Sequence, residues 1–455
     1  MATDTDHTFD VIVIGLGPGG EHVAGSLAER GLRVLGVDRR LVGGECPYWG
    51  CIPSKMMIRA ADALAQARRV DGLAGSVGDV TPDWSVVATR IREEATDTWD
   101  DRVAVERLTG KGATFVRGTA RIAGPGRVDV DGTAYSATTG IVVNTGTTAA
   151  IPPVDGLADT PYWTNHDIVE ATELPGSVVV LGGGAIGCEL SQVMARFGVD
   201  VTVVEAADRI LALEEPEASE HLKSALEADG ITVREGVGAE KVTHDGSTFT
   251  VTLGDGSTLA AEKLLVATGR RADPAAVGLD TVGVARDSRT APVDDRCRVA
   301  DGVWAVGDIT GKGAFTHVSM YQAGVVIRDV LGDDGPPAEY AALPRVTFTD
   351  PEVGAVGMTE AQAREKLANV QVGVTPLGET TRGWIAKADG LIKVVADADR
   401  GVLVGATTMG PAGGEVLGAL AVAVHGEVPI ERLRSMIYAY PTLHRGIEDA
   451  LGRLA

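Results

Sequence analysis

Short apolar, β-branched runs mark two segments of the chain that share one order of predicted elements. In the first segment, a run over residues 11–14 leads into a glycine-rich turn, a helix-like stretch over 21–30 and a second apolar run over 32–37. In the second segment, runs over 178–181 and 199–204 flank another glycine-rich turn. Such runs are typical of strands buried in a parallel sheet. The pattern therefore predicts two strand–helix–strand units.

Both glycine-rich turns have the spacing Gly-x-Gly-x-x-Gly. The glycines are Gly15, Gly17 and Gly20 in the first unit and Gly182, Gly184 and Gly187 in the second. In this motif the first glycine permits the tight turn, the second lets backbone amides approach a pyrophosphate, and the third lets the helix pack on the strand. An acidic residue, Asp38 or Glu205, ends the second strand of each unit, where its carboxylate can accept hydrogen bonds from ribose hydroxyls. Two such units predict two bound dinucleotides and electron transfer between them.

The rest of the chain predicts two β-meanders and a third domain. The meanders have turns at residues 131–132 and 254–256, and each precedes an apolar run that closes its unit and ends in residues 144–146 or 267–270. A glycine- and proline-rich stretch over 332–337 predicts a linker, and the sequence after it mixes strand-like and helical runs. We expect an α/β fold made of two Rossmann-like dinucleotide-binding domains and a C-terminal α+β domain.

Composition narrows the function without defining it. The net charge of −22 argues against nucleic acid or an anionic membrane surface as a partner, and no apolar run is long enough to span a membrane. Residues 1–10 are polar and acidic and do not resemble a signal peptide, so a cytoplasmic location is expected. Four cysteines are too few for a disulfide framework in a chain of 455 residues.

Two of the four cysteines, Cys46 and Cys51, lie five positions apart. They could form a structural disulfide, bind a metal, or alternate between disulfide and dithiol. Zinc needs four ligands, and no second cysteine pair or histidine cluster supplies the rest, so no metal site is expected. Residues five apart in a regular helix have Cα atoms about 8–9 Å apart, beyond the roughly 7 Å limit for a disulfide. A bonded Cys46 must therefore precede the helix or lie in a distorted first turn, and such a reducible pair favours redox chemistry over a staple.

The chain resembles the flavin-dependent pyridine nucleotide–disulfide oxidoreductases, a family that includes dihydrolipoamide dehydrogenase and the glutathione, mycothione and mercuric reductases. The resemblance covers nearly the whole chain. Six motifs carry it: Gly15-x-Gly17-x-x-Gly20, Gly43-Gly44-x-Cys46-x-x-x-Gly50-Cys51-Ile52-Pro53-Ser54-Lys55, the second glycine motif, Thr268-Gly269-Arg270, Gly307-Asp308 and Tyr440-Pro441-Thr442.

The resemblance implies how the chain is divided. Residues 1–150 and 271–335 would form an FAD-binding domain, residues 151–270 an NAD(P)-binding domain, and residues 336–455 a dimerisation domain that pairs two copies. Electrons would pass from NADH to FAD and on to a disulfide of Cys46 and Cys51. Glu205 favours NADH over NADPH, because a carboxylate accepts from a 2′-hydroxyl and repels a 2′-phosphate.

The resemblance also implies the residues of the site. Cys51 would contact the flavin, Cys46 would attack the substrate, and Lys55 would lie near the flavin, paired with Glu189. The residues expected to bind FAD are Gly15, Gly17, Pro18, Gly20, Asp38, Arg39, Gly44, Lys55, Ala120, Thr145, Gly146, Asp308 and His317. Those expected to bind the nicotinamide cofactor are Gly182, Gly184, Ile186, Gly187, Glu205, Gly269 and Arg270.

The C-terminal motif departs from the family pattern. Disulfide-reducing members carry a His directly before Pro-Thr and a Glu five positions after that His, but here those positions are Tyr440 and Arg445. Tyrosine, with a reference pKa of about 10, is a poorer proton shuttle at neutral pH than histidine at about 6.5. With Pro441 as the first residue of a helix, Tyr440, His444 and Glu448 would share one face. We expect either that His444 and Glu448 form a replacement acid–base pair, or that His444 only packs in the structure or lies at the dimer interface.

These observations favour a homodimeric, FAD-dependent enzyme that uses NADH, or NADPH, to reduce a small disulfide. A leaving thiol of low pKa needs a general acid less, which favours disulfides of acidic or thione-forming thiols, such as ergothioneine disulfide, with Tyr48 and Trp49 as aromatic walls. Mycothione is another low-molecular-weight disulfide that the resemblance suggests as a substrate. The alternatives are a dihydrolipoamide dehydrogenase, a soluble transhydrogenase or diaphorase, and a metal-ion reductase of the mercuric type. A structural subunit or a nucleotide-sensing protein is a different class of function, against which the intact thiol pair argues.

Overall fold

The computed structural model describes residues 7–455. Its strands are β1 (Thr8–Ile14), β2 (Val34–Asp38), β3 (Thr114–Arg117), β4 (Ala120–Gly124), β5 (Arg127–Val130), β6 (Thr133–Val143), β7 (Thr148–Ala149), β8 (Ser177–Leu181), β9 (Asp200–Val204), β10 (Thr232–Arg234), β11 (Ala239–His244), β12 (Phe249–Leu253), β13 (Thr258–Ala261), β14 (Lys263–Val266), β15 (Arg270–Arg271), β16 (Arg298–Ala300), β17 (Val303–Ala305), β18 (Pro344–Thr347), β19 (Glu352–Gly357), β20 (Val370–Pro376), β21 (Leu391–Asp397) and β22 (Val402–Gly410).

The α-helices lie between these strands. They are α1 (Pro18–Glu29), α2 (Glu45–Tyr48), α3 (Cys51–Arg68), α4 (Trp84–Arg90), α5 (Arg102–Gly110), α6 (Asn165–Glu170), α7 (Ala185–Arg196), α8 (Pro216–Ala228), α9 (Thr316–Leu331), α10 (Glu360–Lys366), α11 (Thr381–Ala386), α12 (Gly413–His425), α13 (Ile430–Arg434) and α14 (Gly446–Gly452). Within residues 7–455, no helix has both the length and the apolar character that crossing a membrane requires.

The described chain divides into two compact units. The first consists of residues 7–54, Thr89–Ala150 and Arg270–Glu339, and the second of Lys55–Ala88, Ile151–Gly269 and Tyr340–Ala455. The units meet after Ala150, Gly269 and Glu339, and residues 55–88 group with the second unit. The second unit contains both the second glycine motif and the C-terminal domain.

A mostly parallel sheet forms the centre of the first unit. Its order is β16–β17–β6–β1–β2–β3, and β4 and β5 extend β6 into an antiparallel meander. The strands β2, β6 and β17 all run in the direction of β1. Alternate side chains of β1 enter two cores, with Ile12 and Ile14 on one face and Val11 and Val13 on the other, beside Val23 of α1. Because the strands are parallel, the residues that follow them gather at one edge of the sheet.

The second unit repeats this arrangement around the second glycine motif. Its parallel sheet has the order β10–β9–β8–β14, with α7 connecting β8 to β9. The antiparallel meander β11–β12–β13 packs around Phe249, which is fully buried. The turns predicted at 131–132 and 254–256 are confirmed, since they connect β5 to β6 and β12 to β13.

The C-terminal part of the second unit is an antiparallel sheet with helices packed on it. The sheet has the order β18–β19–β22–β21–β20. Leu417 and Leu420 of α12 and Leu451 of α14 share one core with Ile392 and Val394 of β21. The predicted fold class, α/β with two Rossmann-like units and a C-terminal α+β domain, is confirmed.

A buried arginine fixes α3 against α7 in the second unit. Arg196 of α7 is only 2% exposed, and its guanidinium pairs with Asp62 of α3 at 2.8 Å, Asp229 at 2.9 Å and Asp350 at 2.8 Å. Breaking a buried ion pair by removing one partner typically costs about 3–5 kcal/mol of the free energy of unfolding. Lys55 lies on α3 and Glu189 on α7, the two helices that Arg196 and Asp62 join, so the network also fixes the distance between Lys55 and Glu189.

Candidate active site

The third glycine of each motif is required by the packing of the helix on the strand. A Cβ added to Gly20 would lie 2.0 Å from the carbonyl oxygen of Gly15, and one added to Gly187 would lie 1.9 Å from that of Gly182. Both distances are far shorter than a van der Waals contact. The two turns therefore have the same close backbone approach that the sequence predicted from the spacing.

An acid closes each turn in the same way. Asp38, at the end of β2, accepts a hydrogen bond from the amide of Leu16 at 2.7 Å, and Glu205, after β9, accepts one from the amide of Gly183 at 2.6 Å. The other oxygen of each carboxylate accepts from the amide two residues further along, at 2.8 Å and 2.7 Å. Carboxylate oxygens have further lone pairs, so each acid can still accept from a ribose hydroxyl.

The start of each helix fits a phosphate group. The residues that precede α1 and α7, Gly17 and Gly184, have no side chain with which to cap their helices, and nothing lies within 4 Å of a Cβ built on Gly184. A Cβ on Gly44 (φ 68°) would lie 2.7 Å from the Cα of Gly17, so the loop before Cys46 contacts the first turn through glycine backbone alone. Uncapped amides at a helix N-terminus bind phosphate oxygens, and these residues therefore fit two dinucleotides.

Asn144 organises the first unit at the end of β6. Its side-chain oxygen accepts from the amide of Gly20 at 2.8 Å, and its side-chain nitrogen donates to the carbonyl of Val306 at 2.8 Å and to the hydroxyl of Ser319 at 3.3 Å. We did not predict this role. The available signal was a polar residue placed directly after a buried apolar strand, where a buried side chain needs hydrogen-bond partners.

Asp308 lies at the start of a chain of polar contacts in the first unit. The hydroxyl of Thr147 donates to Asp308 at 2.9 Å and accepts from Nε of Arg270 at 2.8 Å. Another guanidinium nitrogen of Arg270 lies 3.3 Å from a carboxylate oxygen of Glu45. Burial raises the pKa of Asp308, an effect that the Thr147 hydrogen bond and Arg270 oppose. Arg270 thus reaches the residue that precedes Cys46, a contact that the sequence did not suggest.

The two cysteines lie on either side of a break between helices. Cys46 is in α2 and Cys51 is the first residue of α3, so Cys46 has the position outside α3 that a disulfide requires. Neither cysteine is in a disulfide in this structure, and the hydrogen bond to Cys51, with burial, raises the pKa of Cys46. The sulfur of Cys51 lies 3.4 Å from the hydroxyl of Thr316, the first residue of α9. Two helix N-termini therefore meet at Cys51, and this favours Cys51 as the ionised thiol of the pair.

The predicted ion pair between Lys55 and Glu189 is present in the second unit. Nζ of Lys55 lies 2.8 Å from one oxygen of Glu189, whose side chain is 8% exposed. The other oxygen of Glu189 accepts from the amide of Phe348 at 2.8 Å, and the ring of Phe348 lies 4.5 Å from Nζ. Lys55 therefore has a fixed position one helical turn after Cys51 on α3.

The prediction that a helix begins at Pro441 is wrong. Residues 439–445 form turns, and α14 begins only at Gly446. The hydroxyl of Thr442 donates to the carbonyl of Ala439 at 2.7 Å and accepts from the amide of Arg445 at 3.3 Å. Such side-chain bonds to the local backbone compete with helical hydrogen bonds. The helical spacing of Tyr440, His444 and Glu448 therefore does not apply.

The side chains of this segment have other partners. The ring of His444 packs against Tyr438 with 5.9 Å between ring centroids, and Glu448 pairs with Arg445 at 3.0 Å. Tyr440 is 65% exposed, and its hydroxyl lies 3.2 Å from that of Thr381. Glu448 therefore forms its ion pair with Arg445 rather than with His444. The alternative that His444 only packs agrees with its contact with Tyr438.

The remaining predicted residues lie at strand ends and helix starts. In the first unit these are Pro18, Arg39, Ala120, Thr145, Gly146 and His317, and in the second they are Ile186 and Gly269. The expected aromatic wall at Tyr48 is wrong, because Tyr48 is 6% exposed, and burial, followed by the charge of Asp101, raises its pKa to about 12. Within residues 7–455, no group of three or more His, Cys, Asp or Glu side chains could hold a metal ion.

Comparison with known proteins identifies relatives along the whole chain. The family model described as pyridine nucleotide-disulphide oxidoreductase matches residues 9–323, and the model of that family's dimerisation domain matches residues 343–451. The dihydrolipoyl dehydrogenase of Chlorobaculum tepidum is 33% identical over 454 residues, covering 97% of this chain and 96% of that protein. A mercuric reductase of Staphylococcus aureus is 28% identical over 458 residues, covering 98% and 82%. The Cu(II) complex of the HOCl-induced flavoprotein disulfide reductase RclA from Escherichia coli has a TM-score of 0.85 at 26% identity, covering 98% of this chain and 99% of that one.

Proposed function

The chain belongs to the pyridine nucleotide-disulphide oxidoreductase family, and we propose that it uses NADH to reduce a small disulfide through Cys46 and Cys51. Members of this family are flavoprotein oxidoreductases that use FAD and NAD(P)H and act on sulfur groups, and this chain is one of them. The observation that supports a disulfide as the electron acceptor is the hydrogen-bonded thiol pair at the break between α2 and α3.

The glycine turn of the first unit would hold FAD, and that of the second unit would hold the nicotinamide cofactor. The amides at Gly17 and Gly184 would bind phosphates, and Asp38 and Glu205 would accept from ribose hydroxyls. Bound FAD supplies a two-electron carrier between the nicotinamide and the thiol pair. Lys55, held by Glu189, adds a fixed positive charge one turn after Cys51.

The chemistry of the protein's own residues is thiol–disulfide exchange. The sulfur of Cys46 attacks one sulfur of the substrate while Cys51 accepts the proton of Cys46, and the substrate S–S bond breaks to release the first thiol. Cys51 then gives up a proton and attacks the sulfur of Cys46, which releases the second thiol. The substrate gains two electrons and leaves as two thiolates, and the cysteine pair that loses those electrons becomes the Cys46–Cys51 disulfide. The one proton held by the pair passes to solvent, from which each released thiolate takes a proton according to its own pKa.

The substrate that we propose releases a thiol of low pKa. Tyr440 and Arg445 replace the family's His and Glu, and the structure pairs Glu448 with Arg445 rather than with His444. A thiol of low pKa departs as the thiolate without receiving a proton, so the reaction does not need a general acid. Ergothioneine disulfide, whose product is a thione, meets this requirement, and mycothione is the second candidate.

The assembly that we propose is a homodimer formed through the C-terminal domain. The match of residues 343–451 to a dimerisation domain supports it, as do large apolar side chains left exposed there, such as Ile437 (96%), Trp384 (73%) and Val422 (69%). A cytoplasmic location belongs to the same proposal, because a working dithiol needs a reducing compartment.

A panel of disulfides tests the substrate class. With NADH as donor, we expect kcat/KM to fall as the pKa of the leaving thiol rises, from ergothioneine disulfide and aryl disulfides down to alkyl disulfides such as lipoamide. We also expect His444→Ala to change each value by less than about threefold, since a real general acid is worth about 10²–10⁴-fold. A loss of that size confined to alkyl disulfides would make His444 the acid and contradict the proposed substrate class. Turnover of Hg(II) or Cu(II) but of no disulfide would identify a metal-ion reductase instead.

Glu205 should decide the choice of nicotinamide. We expect Glu205→Ala to lower the ratio of kcat/KM for NADH over NADPH by about tenfold or more, because one charge-assisted hydrogen bond and the repulsion of a 2′-phosphate are both lost. Steady-state kinetics with both donors measure the ratio. Asp255→Ala, which removes an exposed carboxylate of the same unit, is the control. An unchanged ratio in Glu205→Ala would reject this role.

A further inference from the structure

We propose that Arg270 is a positioning residue for the thiol pair, and that its ion pair with Glu45 sets how readily Cys46 and Cys51 ionise. This inference rests on the proposed function, because it assigns a role within the same redox site. The resemblance to the family had placed Arg270 among the residues that hold the nicotinamide cofactor. In the structure its guanidinium also contacts Glu45 in the first turn of α2, where Cys46 lies.

The guanidinium of Arg270 is held by three contacts within the first unit. Nε donates to the hydroxyl of Thr147 at 2.8 Å, and one terminal nitrogen donates to the carbonyl oxygen of Thr147 at 2.9 Å. These two bonds to one residue fix the plane of the guanidinium, so that the other terminal nitrogen lies 3.3 Å from a carboxylate oxygen of Glu45. The side chains of Arg270 and Glu45 are 17% and 32% exposed, which limits screening of the pair by salt.

The position of Glu45 gives this pair a chemical consequence. Glu45 directly precedes Cys46 and begins α2. An unpaired carboxylate beside a thiol raises the pKa of that thiol, whereas an unpaired guanidinium lowers it. Together the two charges largely cancel. Loss of Arg270 and loss of Glu45 should therefore shift ionisation of the thiols in opposite directions.

The other charged groups near the pair do not duplicate this effect. Besides the two thiols, the titratable side chains on α2 and on the first five residues of α3 and of α9 are Glu45, Tyr48, Lys55 and His317. Arg270 and Asp308 join this group through the hydroxyl of Thr147. Asp308 is separated from Arg270 by the hydroxyl of Thr147, and Lys55 is already paired with Glu189. A single substitution of Arg270 or Glu45 would therefore leave one uncompensated charge next to Cys46.

A double-mutant cycle tests the inference. Arg270→Gln, Glu45→Gln, the double variant and the wild type are prepared with FAD bound and reduced with excess dithiothreitol. The rate of alkylation of Cys46 and Cys51 by iodoacetamide is measured against pH by peptide mass spectrometry. We expect the midpoint of the more reactive thiol to rise by about one pH unit in Arg270→Gln and to fall by about one unit in Glu45→Gln. The double variant should return close to the wild-type midpoint.

A matched control separates charge from general disturbance. Arg298 pairs with Asp329 in the same unit, about 20 Å along α9 from Thr316 by the helical rise, so Arg298→Gln should leave the midpoint unchanged. Shifts of the same sign in both single variants, or four identical profiles, would overturn the inference. Oxidation of the wild-type dithiol with diamide tests the proposed function separately. If the pair does not cycle, the proposed function fails, while the alkylation profiles still decide the role of the ion pair.

Discussion

Replacing Cys46 with serine is expected to lower disulfide reduction by more than about 10³-fold, which corresponds to about 4 kcal/mol of activation free energy. The reason is that a hydroxyl at this position cannot form the mixed disulfide on which exchange depends. NADH oxidation with ferricyanide as acceptor should stay near the wild-type rate, since that reaction does not use the thiols. NADH consumption, followed separately with a disulfide and with ferricyanide, measures both activities. Cys297→Ala, which removes a fully buried thiol elsewhere in the first unit, is the matched control.

The two cysteines can also be told apart. Cys51→Ser should lose disulfide reduction as well, but Cys46 should then retain one substrate thiol as a stable mixed disulfide, because no second thiol is present to release it. Intact mass spectrometry detects the added mass. Adduct formation in Cys46→Ser but not in Cys51→Ser would reverse the assigned roles, and normal turnover of Cys46→Ser would exclude the thiol pair altogether.

Adding one methyl group to the third glycine of either motif is expected to weaken binding of the ligand of that unit alone. In Gly20→Ala the new Cβ would lie 2.0 Å from a backbone oxygen, and in Gly187→Ala 1.9 Å, so the helix must move away from its strand. Overpacking of this kind costs about 1–3 kcal/mol or more, or up to about 10²-fold in affinity. We expect Gly20→Ala to purify with little flavin, and Gly187→Ala to keep its flavin but to bind NADH about 10²-fold more weakly.

Absorbance of the purified proteins gives the flavin content, and titration gives the NADH affinity. Gly110→Ala in α5 and Gly452→Ala in α14 are controls, because nothing lies within 4 Å of a Cβ at either position. Flavin retained by Gly187→Ala shows that this variant is folded, and a cooperative thermal transition shows the same for Gly20→Ala. Loss of flavin from Gly187→Ala with normal retention in Gly20→Ala would exchange the assignments of the two units.

The features that the sequence predicted are those set by local spacing. The distance from Gly15 to Asp38 fixes a strand, a turn, a helix and a second strand, and the same distance recurs from Gly182 to Glu205, so both units follow from one pattern. The position of Cys46 outside α3 follows in the same way from the reach of a disulfide. In these places the local preference and the tertiary structure agree.

Contacts between residues distant in sequence could not be predicted in this way. Arg270 and Glu45 are 225 positions apart, and no periodicity in the sequence relates two positions so far apart. The helix predicted after Tyr440 was wrong for a different reason. Helical spacing suited it, but the hydroxyl of Thr442 bonds to the local backbone and the helix begins later. Asn144 was visible as a polar residue after a strand, yet its partners come from α1, the residue after β17, and α9, and are known only from the fold.

The central claim is that electrons from NADH arrive at the thiols of Cys46 and Cys51. The most direct test adds one equivalent of NADH to the air-oxidised enzyme without oxygen, quenches with iodoacetamide and counts alkylated cysteines by peptide mass spectrometry. We expect two newly alkylated residues per NADH consumed, Cys46 and Cys51, with Cys188 and Cys297 unchanged because they are fully buried. Consumption of NADH with no new alkylation at Cys46 and Cys51 would contradict the account.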